Sequence, residues 1–348
     1  MKTTAAVLVE TGKPLELMDI EIPKLKEGQV LVDVLYSGIC RTQVLECRGH
    51  KGEDKFLPHC LGHEGTGKVL EVGIGVTKVK EDDYVLLSWM KGEGYDVPGT
   101  VYGSNGYRIN AGGITTFMNQ SVISENRLTR IDGSLPLDEA ALLGCAVPTG
   151  FGVLRNTVIA KKGDSVVVFG VGGIGQCVVQ GAKIAGCDPI IAVDLFDDKL
   201  VTAKSVGATH LINPTECDPI EEIRKISADG LDYAVEATGI PRVMAQALAS
   251  VRVRGGSVIV IGNAKEGDLL QLDPHELNMG KNILGTWGGD NDPDKDFPEY
   301  LEMFESGVID LAPLITQSYT LEQVNQAIDD LDTGKTLRPI IQTSNGFN

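Results

Sequence analysis

The chain has 348 residues, 42% of them hydrophobic, more than a single core usually accommodates, so two domains are expected. Its formal net charge of -17 repels phosphate backbones and anionic lipid, which argues against nucleic acid and membranes as partners. The apolar run in MKTTAAVLVETGK is too short for an export signal, and SVVVFGVGGIGQCVV is glycine-broken and too short to span a bilayer, so a cytoplasmic protein is expected.

In chain order, AAVLVE, LELMDIEIP, QVLVDVLYSG, GTGKVLEVG and DYVLLSW read as short strands separated by Gly and Pro, a pattern that predicts a compact barrel-like unit. Between Gly92 and Gly113 the sequence is rich in glycine and long for a connection, either a loop bordering a site or a surface excursion. From about Lys161 the rhythm becomes strand, glycine turn, helix, strand. DSVVVFG, PIIAVD, LIN, LDYAVEA, GSVIVIG and NILGTWG supply six buried strands, with helices in GGIGQCVVQGAKIAG, in DDKLVTAKSVG, and near 218–227 and 241–250. This alternation predicts an α/β, doubly wound parallel six-stranded sheet. After Gly285 the chain turns acidic and proline-rich, then passes through the amphipathic LEQVNQAIDDLDTG to a closing LRPII strand, and this tail is expected to pack back on the first domain.

GVGGIG follows a predicted strand and opens a helix, the context in which glycines let a pyrophosphate approach the backbone at a helix N-terminus. Asp194 ends the next strand roughly two dozen residues beyond Gly170, near the spacing for a carboxylate that binds ribose hydroxyls. The alternative is a plain helix-entry turn with an exposed aspartate. A carboxylate there repels a 2'-phosphate, and IAVDLFDDKL offers no arginine, so NAD is expected over NADP.

Seven cysteines, an odd number in a long chain, do not form a disulfide framework; most are expected to be packed. Cys40 in GICRTQ, His63 in GHEG and Cys145 in GCAVPTG are the candidates for chemistry, since catalytic zinc takes three S, N or O ligands and keeps a position open. Singly, each also reads as a core residue.

Together and in this order, GICRTQ, PHCLGHEGTG, GCAVPTGFGVL, GVGGIG and Asp194 resemble the zinc-dependent medium-chain alcohol dehydrogenase family over nearly the whole chain. The likeness is greatest to the branch with glutathione-dependent formaldehyde and aryl or primary alcohol dehydrogenases. The resemblance implies a GroES-like β-barrel catalytic domain (1–152), an NAD-binding Rossmann domain (153–285) and a return segment (286–348). It implies one catalytic zinc on Cys40, His63 and Cys145, with Glu64 near the metal and able to approach it. Thr42 matches the hydroxyl that bonds the substrate oxygen and Trp89 an aromatic of the substrate pocket. Arg41 and Arg338 fall where the family contacts pyrophosphate, Lys199 where it reaches the ribose, and Thr149 where it touches nicotinamide. Gly170, Gly172, Gly173, Ile174, Gly175 and Thr238 complete the implied NAD site.

Three positions depart from the family. Gln43 replaces an aspartate that accepts the other N–H of the ligand histidine, a bond a neutral amide can still accept. Leu45 replaces a proton-relaying histidine, so proton release uses water or another group; His50 is a nearby candidate, the alternative being a plain surface histidine. No cysteine lies between Cys60 and Cys145, so no structural zinc is expected. The expected activity is NAD-linked oxidation of a primary or aryl alcohol by a homodimer or homotetramer. A polyol or threonine-type dehydrogenase, and a zinc-free NADPH double-bond reductase, are the alternatives.

Overall fold

The structure, a computed structural model, describes residues 1–104 and 106–344. The chain divides into two units, Met1–Cys145 with Asp292–Asn348, and Ala146–Asn291.

In the first unit, strands Lys2–Leu8, Glu16–Glu21, Val101–Ser104, Tyr107–Asn110 and His59–Cys60 close a barrel. A second sheet runs in the order Leu128–Ile131, Tyr84–Ser88, Glu64–Val72, Gln29–Gly38, Ile340–Gln342, Ser318–Thr320, and Gln120–Ser124 also pairs with Gln29–Gly38. The two-residue period of a strand explains why Gln29–Gly38 is apolar on both faces. Val30, Val32 and Val34 enter one core cluster with Val69, Val85 and Leu87, while Leu31 enters another with Ala5, Ile20 and Tyr102. The segment expected as a long connection from Gly92 to Gly113 contains the Val101–Ser104 and Tyr107–Asn110 hairpin of the barrel; Asn105 lies outside the described residues. The acidic, proline-rich stretch after Gly285 folds into helix Pro293–Glu305: Asp292 caps it by accepting from Asp294 N–H, and Pro293 occupies a first-turn position where no N–H is needed. Strand Ile340–Gln342 then pairs antiparallel with Gln29–Gly38, returning the chain's end to the first unit.

In the second unit six parallel strands lie in the order His210–Ile212, Ile190–Val193, Val166–Phe169, Tyr233–Glu236, Ser257–Val260, Asn282–Gly285. Helices Gly173–Ala185, Asp197–Val206, Pro219–Ile226 and Pro241–Ser250 alternate with them. Both faces are buried, Val166 and Val168 in one cluster and Val167 and Phe169 in the other, which is why these strands read as unbroken apolar runs. Helix Ala146–Gly152 belongs to this unit, ahead of the expected 152/153 boundary, because Gly150 seats directly on helix Gly173–Ala185; a Cβ there would meet Cys177 Cβ at 2.5 Å. Among the described residues no single helix is long and apolar enough to cross a membrane.

Candidate active site

Cys40 is the N-cap of the short helix Arg41–Cys47 that follows strand Gln29–Gly38. The helix is tied back to its start by Gln43, whose Oε1 accepts from Cys40 N–H at 2.8 Å. His63 is delivered between strands His59–Cys60 and Glu64–Val72 by Gly62, at φ +96, where a Cβ would meet Thr116 Oγ1 at 2.3 Å and Phe117 N at 2.6 Å. Only glycine satisfies both the left-handed backbone and that approach. Cys145 ends the turn Ala141–Gly144, which Ser88 anchors by donating to Gly144 O at 2.6 Å.

The ligand atoms of Cys40, His63 and Cys145 all lie within 4.8 Å of one another. Tetrahedral zinc with Zn–S near 2.3 Å and Zn–N near 2.0 Å sets its donors about 3.5–3.8 Å apart, within that span. Two further observations fit an ion. His63 Nε2 is a buried ring nitrogen without a hydrogen-bond partner. The two thiols titrate apart: a hydrogen bond from Cys145, against the effect of burial, and the charge of Arg338 hold Cys40 well below the ordinary thiol range, while the same bond and burial push Cys145 up. The two thiols are thus linked by one hydrogen bond, whose proton a bound cation would displace. Cysteines without this company behave oppositely. Burial pushes Cys60, packed in the barrel core, up to about 12, and likewise Cys47 to about 12.

Behind the thiols, Glu64 and Arg338 form a fully buried ion pair. Burial raises the Glu64 carboxyl, and the Arg338 and His63 charges oppose that rise. Arg338, which the resemblance assigned to pyrophosphate, is 274 residues from its partner in sequence, and no local signal announces the pairing. Gln43 departs from expectation. Its oxygen serves Cys40 N–H, its Nε2 is buried without a partner, and it gives His63 no hydrogen bond. Thr42 is half-buried in the first turn after Cys40, and Arg41 is exposed, pairing with Asp332 at 3.2 Å. Trp89 is half-buried against the cluster of Val30, Val32 and Val34 on the second sheet; its pocket role rests on the resemblance alone.

In the second unit the glycine loop joins strand Val166–Phe169 to helix Gly173–Ala185. Gly170 stands at φ +86, and a Cβ there would meet Thr238 Cγ2 at 2.7 Å, so Thr238 lies against the loop. Gly175 has no room for a Cβ, which would meet Gly170 O at 2.1 Å, whereas the space before Gly172 is open. The N-terminus of this 13-residue helix has no side-chain cap, leaving its N–H groups and dipole for a phosphate. Asp194 reaches the loop: Oδ2 accepts from Val171 N–H at 2.9 Å and Oδ1 from Phe196 N–H at 3.1 Å. Lys199 Nζ lies 4.4 Å from the Phe196 ring centroid. Thr149 is buried with an unpartnered Oγ1. Sequence reading missed Glu236, a fully buried carboxylate ending strand Tyr233–Glu236. It accepts from the N–H groups of Thr238 at 2.7 Å and Gly239 at 3.1 Å and so fixes the floor under Gly170. The adjoining T-G pair after an apolar strand was its only visible sign.

Residues 26–132 match the family described as alcohol dehydrogenase GroES-like domain, and residues 173–306 the family described as zinc-binding dehydrogenase. The chain is 34% identical to an S-(hydroxymethyl)glutathione dehydrogenase of Paracoccus denitrificans, over 98% of this chain and 100% of that protein. It is 35% identical to an alcohol dehydrogenase class-3 of Cereibacter sphaeroides, with the same coverage. The crystal structure of benzyl alcohol dehydrogenase from Acinetobacter calcoaceticus superposes with a TM-score of 0.90 at 30% identity, covering 99% of this chain and 100% of that one. With a sulfur, nitrogen, sulfur donor set where such an enzyme needs its metal, the chain belongs to the zinc-dependent medium-chain alcohol dehydrogenase family.

Proposed function

We propose that the protein oxidises a primary or aryl alcohol to the aldehyde with NAD, and runs the reverse reduction, at a single catalytic zinc. The observation that carries this reading is the convergence of Cys40, His63 and Cys145 with an unpartnered buried imidazole nitrogen. Zinc held there supplies a Lewis acid that eases ionisation of an alcohol hydroxyl, and NAD supplies the hydride acceptor. Cys40 and Cys145 hold two negative charges at the centre, so an anionic oxygen is admitted without a large excess of positive charge. Thr42, two residues past Cys40, would relay the hydroxyl proton, accepting at Oγ1 while giving up its own hydroxyl proton. Leu45 is buried and carries no proton, so release passes to water. Glu64, neutralised by Arg338, adds no free charge to the site. Asp194 orients the ribose and repels a 2'-phosphate, which selects NAD, while Gly172 and the open helix start receive the pyrophosphate.

Preference for primary and aryl substrates rests on the relatives' named substrates, S-(hydroxymethyl)glutathione and benzyl alcohol. The test is NADH formation by the zinc-loaded protein over a panel of primary, aryl, secondary and polyol alcohols, with formaldehyde plus glutathione as one arm. The highest kcat/KM on a primary or aryl alcohol or the glutathione adduct is expected. A best substrate among polyols overturns the preference, and no NADH from any alcohol overturns the reading.

A further inference from the structure

Gln176, at the end of the first turn of helix Gly173–Ala185, is fully buried. Its Nε2 donates to Val171 O at 2.8 Å and to Lys199 O at 2.9 Å. Both partners are carbonyls, which only accept, so the amide can face them only through its nitrogen. Oε1 is thereby turned away, and it is buried without a hydrogen-bond partner among the described residues. A buried acceptor in that state is destabilising, whereas an apolar side chain of similar shape would fill the space without it. Stability alone favours such a residue here, so the contribution of the glutamine lies in what it joins. Val171 stands between Gly170 and Gly172, and its N–H is the group that donates to Asp194 Oδ2 at 2.9 Å. The loop residue is therefore gripped on both sides, at its N–H by Asp194 and at its carbonyl by Gln176. Lys199 belongs to helix Asp197–Val206, whose N-cap, Phe196, donates its N–H to the other Asp194 oxygen at 3.1 Å.

We propose that Gln176 is a positioning residue for the cofactor: its amide latches the glycine loop to the turn that carries Asp194 and Lys199, and so fixes the spacing between the groups that face pyrophosphate and those that face ribose. This rests on the reading that NAD occupies the glycine loop. Pyrophosphate and ribose are covalently joined in the cofactor, so a site whose two halves drift apart must be ordered at each binding event, which lowers affinity. The latch orders them beforehand. Gln176 touches no part of the cofactor itself, since its side chain lies behind the loop, bonded to the carbonyls of Val171 and Lys199.

The test is NADH binding, followed by fluorescence titration, to the full-length, zinc-loaded protein and to its Gln176→Leu, Gln176→Met, Asp194→Gly and Gln176→Leu/Asp194→Gly variants, with thermal melting alongside. Gln176→Leu is expected to raise the NADH dissociation constant about tenfold, the effect of one or two lost hydrogen bonds, while its melting midpoint stays within about 5 °C of wild type. Gln176→Met keeps the length of the side chain but not its donor, and should bind as weakly; wild-type affinity in that variant would make residue 176 a packing element and overturn the proposal. Because Asp194 and Gln176 hold the same loop residue, the rise in the double variant should fall short of the product of the two single rises by about threefold or more. A double variant that reaches the full product, or an unchanged dissociation constant in Gln176→Leu, would also overturn the latch. Absence of NADH binding by the wild-type protein would instead overturn the reading that the loop takes NAD, and the latch with it.

Discussion

The three donors differ from their neighbours by company, not by type. Cys60, three residues before His63, is an inert core thiol pushed up to about 12, whereas Cys40 is held low because Cys145 and Arg338 stand beside it. Cys145→Ser should therefore lose zinc and reduce turnover by more than the roughly 10- to 100-fold of an outer-shell change, while NAD binding, measured by fluorescence titration, stays within about twofold. Wild-type turnover in that variant would remove Cys145 from the ligand set. Asp194 makes the second residue-level claim. Loss of a charged hydrogen-bond acceptor for ribose costs about 1.5–3 kcal/mol, so Asp194→Gly should raise the NAD dissociation constant roughly 10- to 100-fold and narrow its advantage over NADP. Unchanged discrimination would refute the ribose role. Gln43 shows where residue-level reading stops: its position suggested a bond to His63, but a glutamine three residues after an N-cap can reach back to the cap's own N–H, and here it does.

At the scale of elements, strands and helices with a clear period were legible. Apolar β-branched runs became the parallel sheet, and GVGGIG became the turn into helix Gly173–Ala185. Two elements were hidden by composition. Glycines and tyrosines between Gly92 and Gly113 obscured a hairpin, and the acidic run after Gly285 concealed a capped helix N-terminus, where Asp294 and Asp296 complement the dipole. The Gly92 segment is held by side chains far from it in sequence. Glu125, fully buried, accepts from Tyr95 N–H at 3.0 Å on one oxygen and from Thr77 and Lys78 N–H at 2.6 and 2.8 Å on the other, while Asp294 binds Glu93 N–H and Lys78. Burial would raise the Glu125 carboxyl, but the N–H groups of Tyr95, Thr77 and Lys78 outweigh it and hold it below the usual 4.5. A depressed carboxyl contributes stability that is present above its unfolded value and lost as pH falls through its folded one. Glu125→Gln should thus cost about 1–3 kcal/mol at pH 7 in denaturant melts, with the gap to wild type closing below about pH 4.5. A gap that stays constant with pH would show that the charge is irrelevant.

Across the whole molecule, chain length and hydrophobic content pointed to two domains, and the lack of linker-like composition after Gly285 to a tail that packs back, because such properties average over many residues. What one-dimensional pattern could not carry was the meeting of single residues distant in the chain, above all Glu64 with Arg338. That pair lies under the ligands and is sealed by strand Ile340–Gln342 pairing with Gln29–Gly38. Removing only one partner strands a buried charge, so Arg338→Met should destabilise by about 3–5 kcal/mol. Adding Glu64→Gln should recover much of the loss, and the double-mutant cycle should show coupling well above 0.5 kcal/mol. Additive losses would mean that the two side chains act independently.

The most direct measurement of the metal centre is zinc K-edge X-ray absorption on protein dialysed to one zinc per chain, where the thiolate site fills before any oxygen-rich one. The account predicts a first shell with two sulfurs at about 2.3 Å and one imidazole nitrogen near 2.0 Å. A shell of nitrogen and oxygen alone would contradict it, and with it the alcohol dehydrogenase chemistry assigned to Cys40, His63 and Cys145.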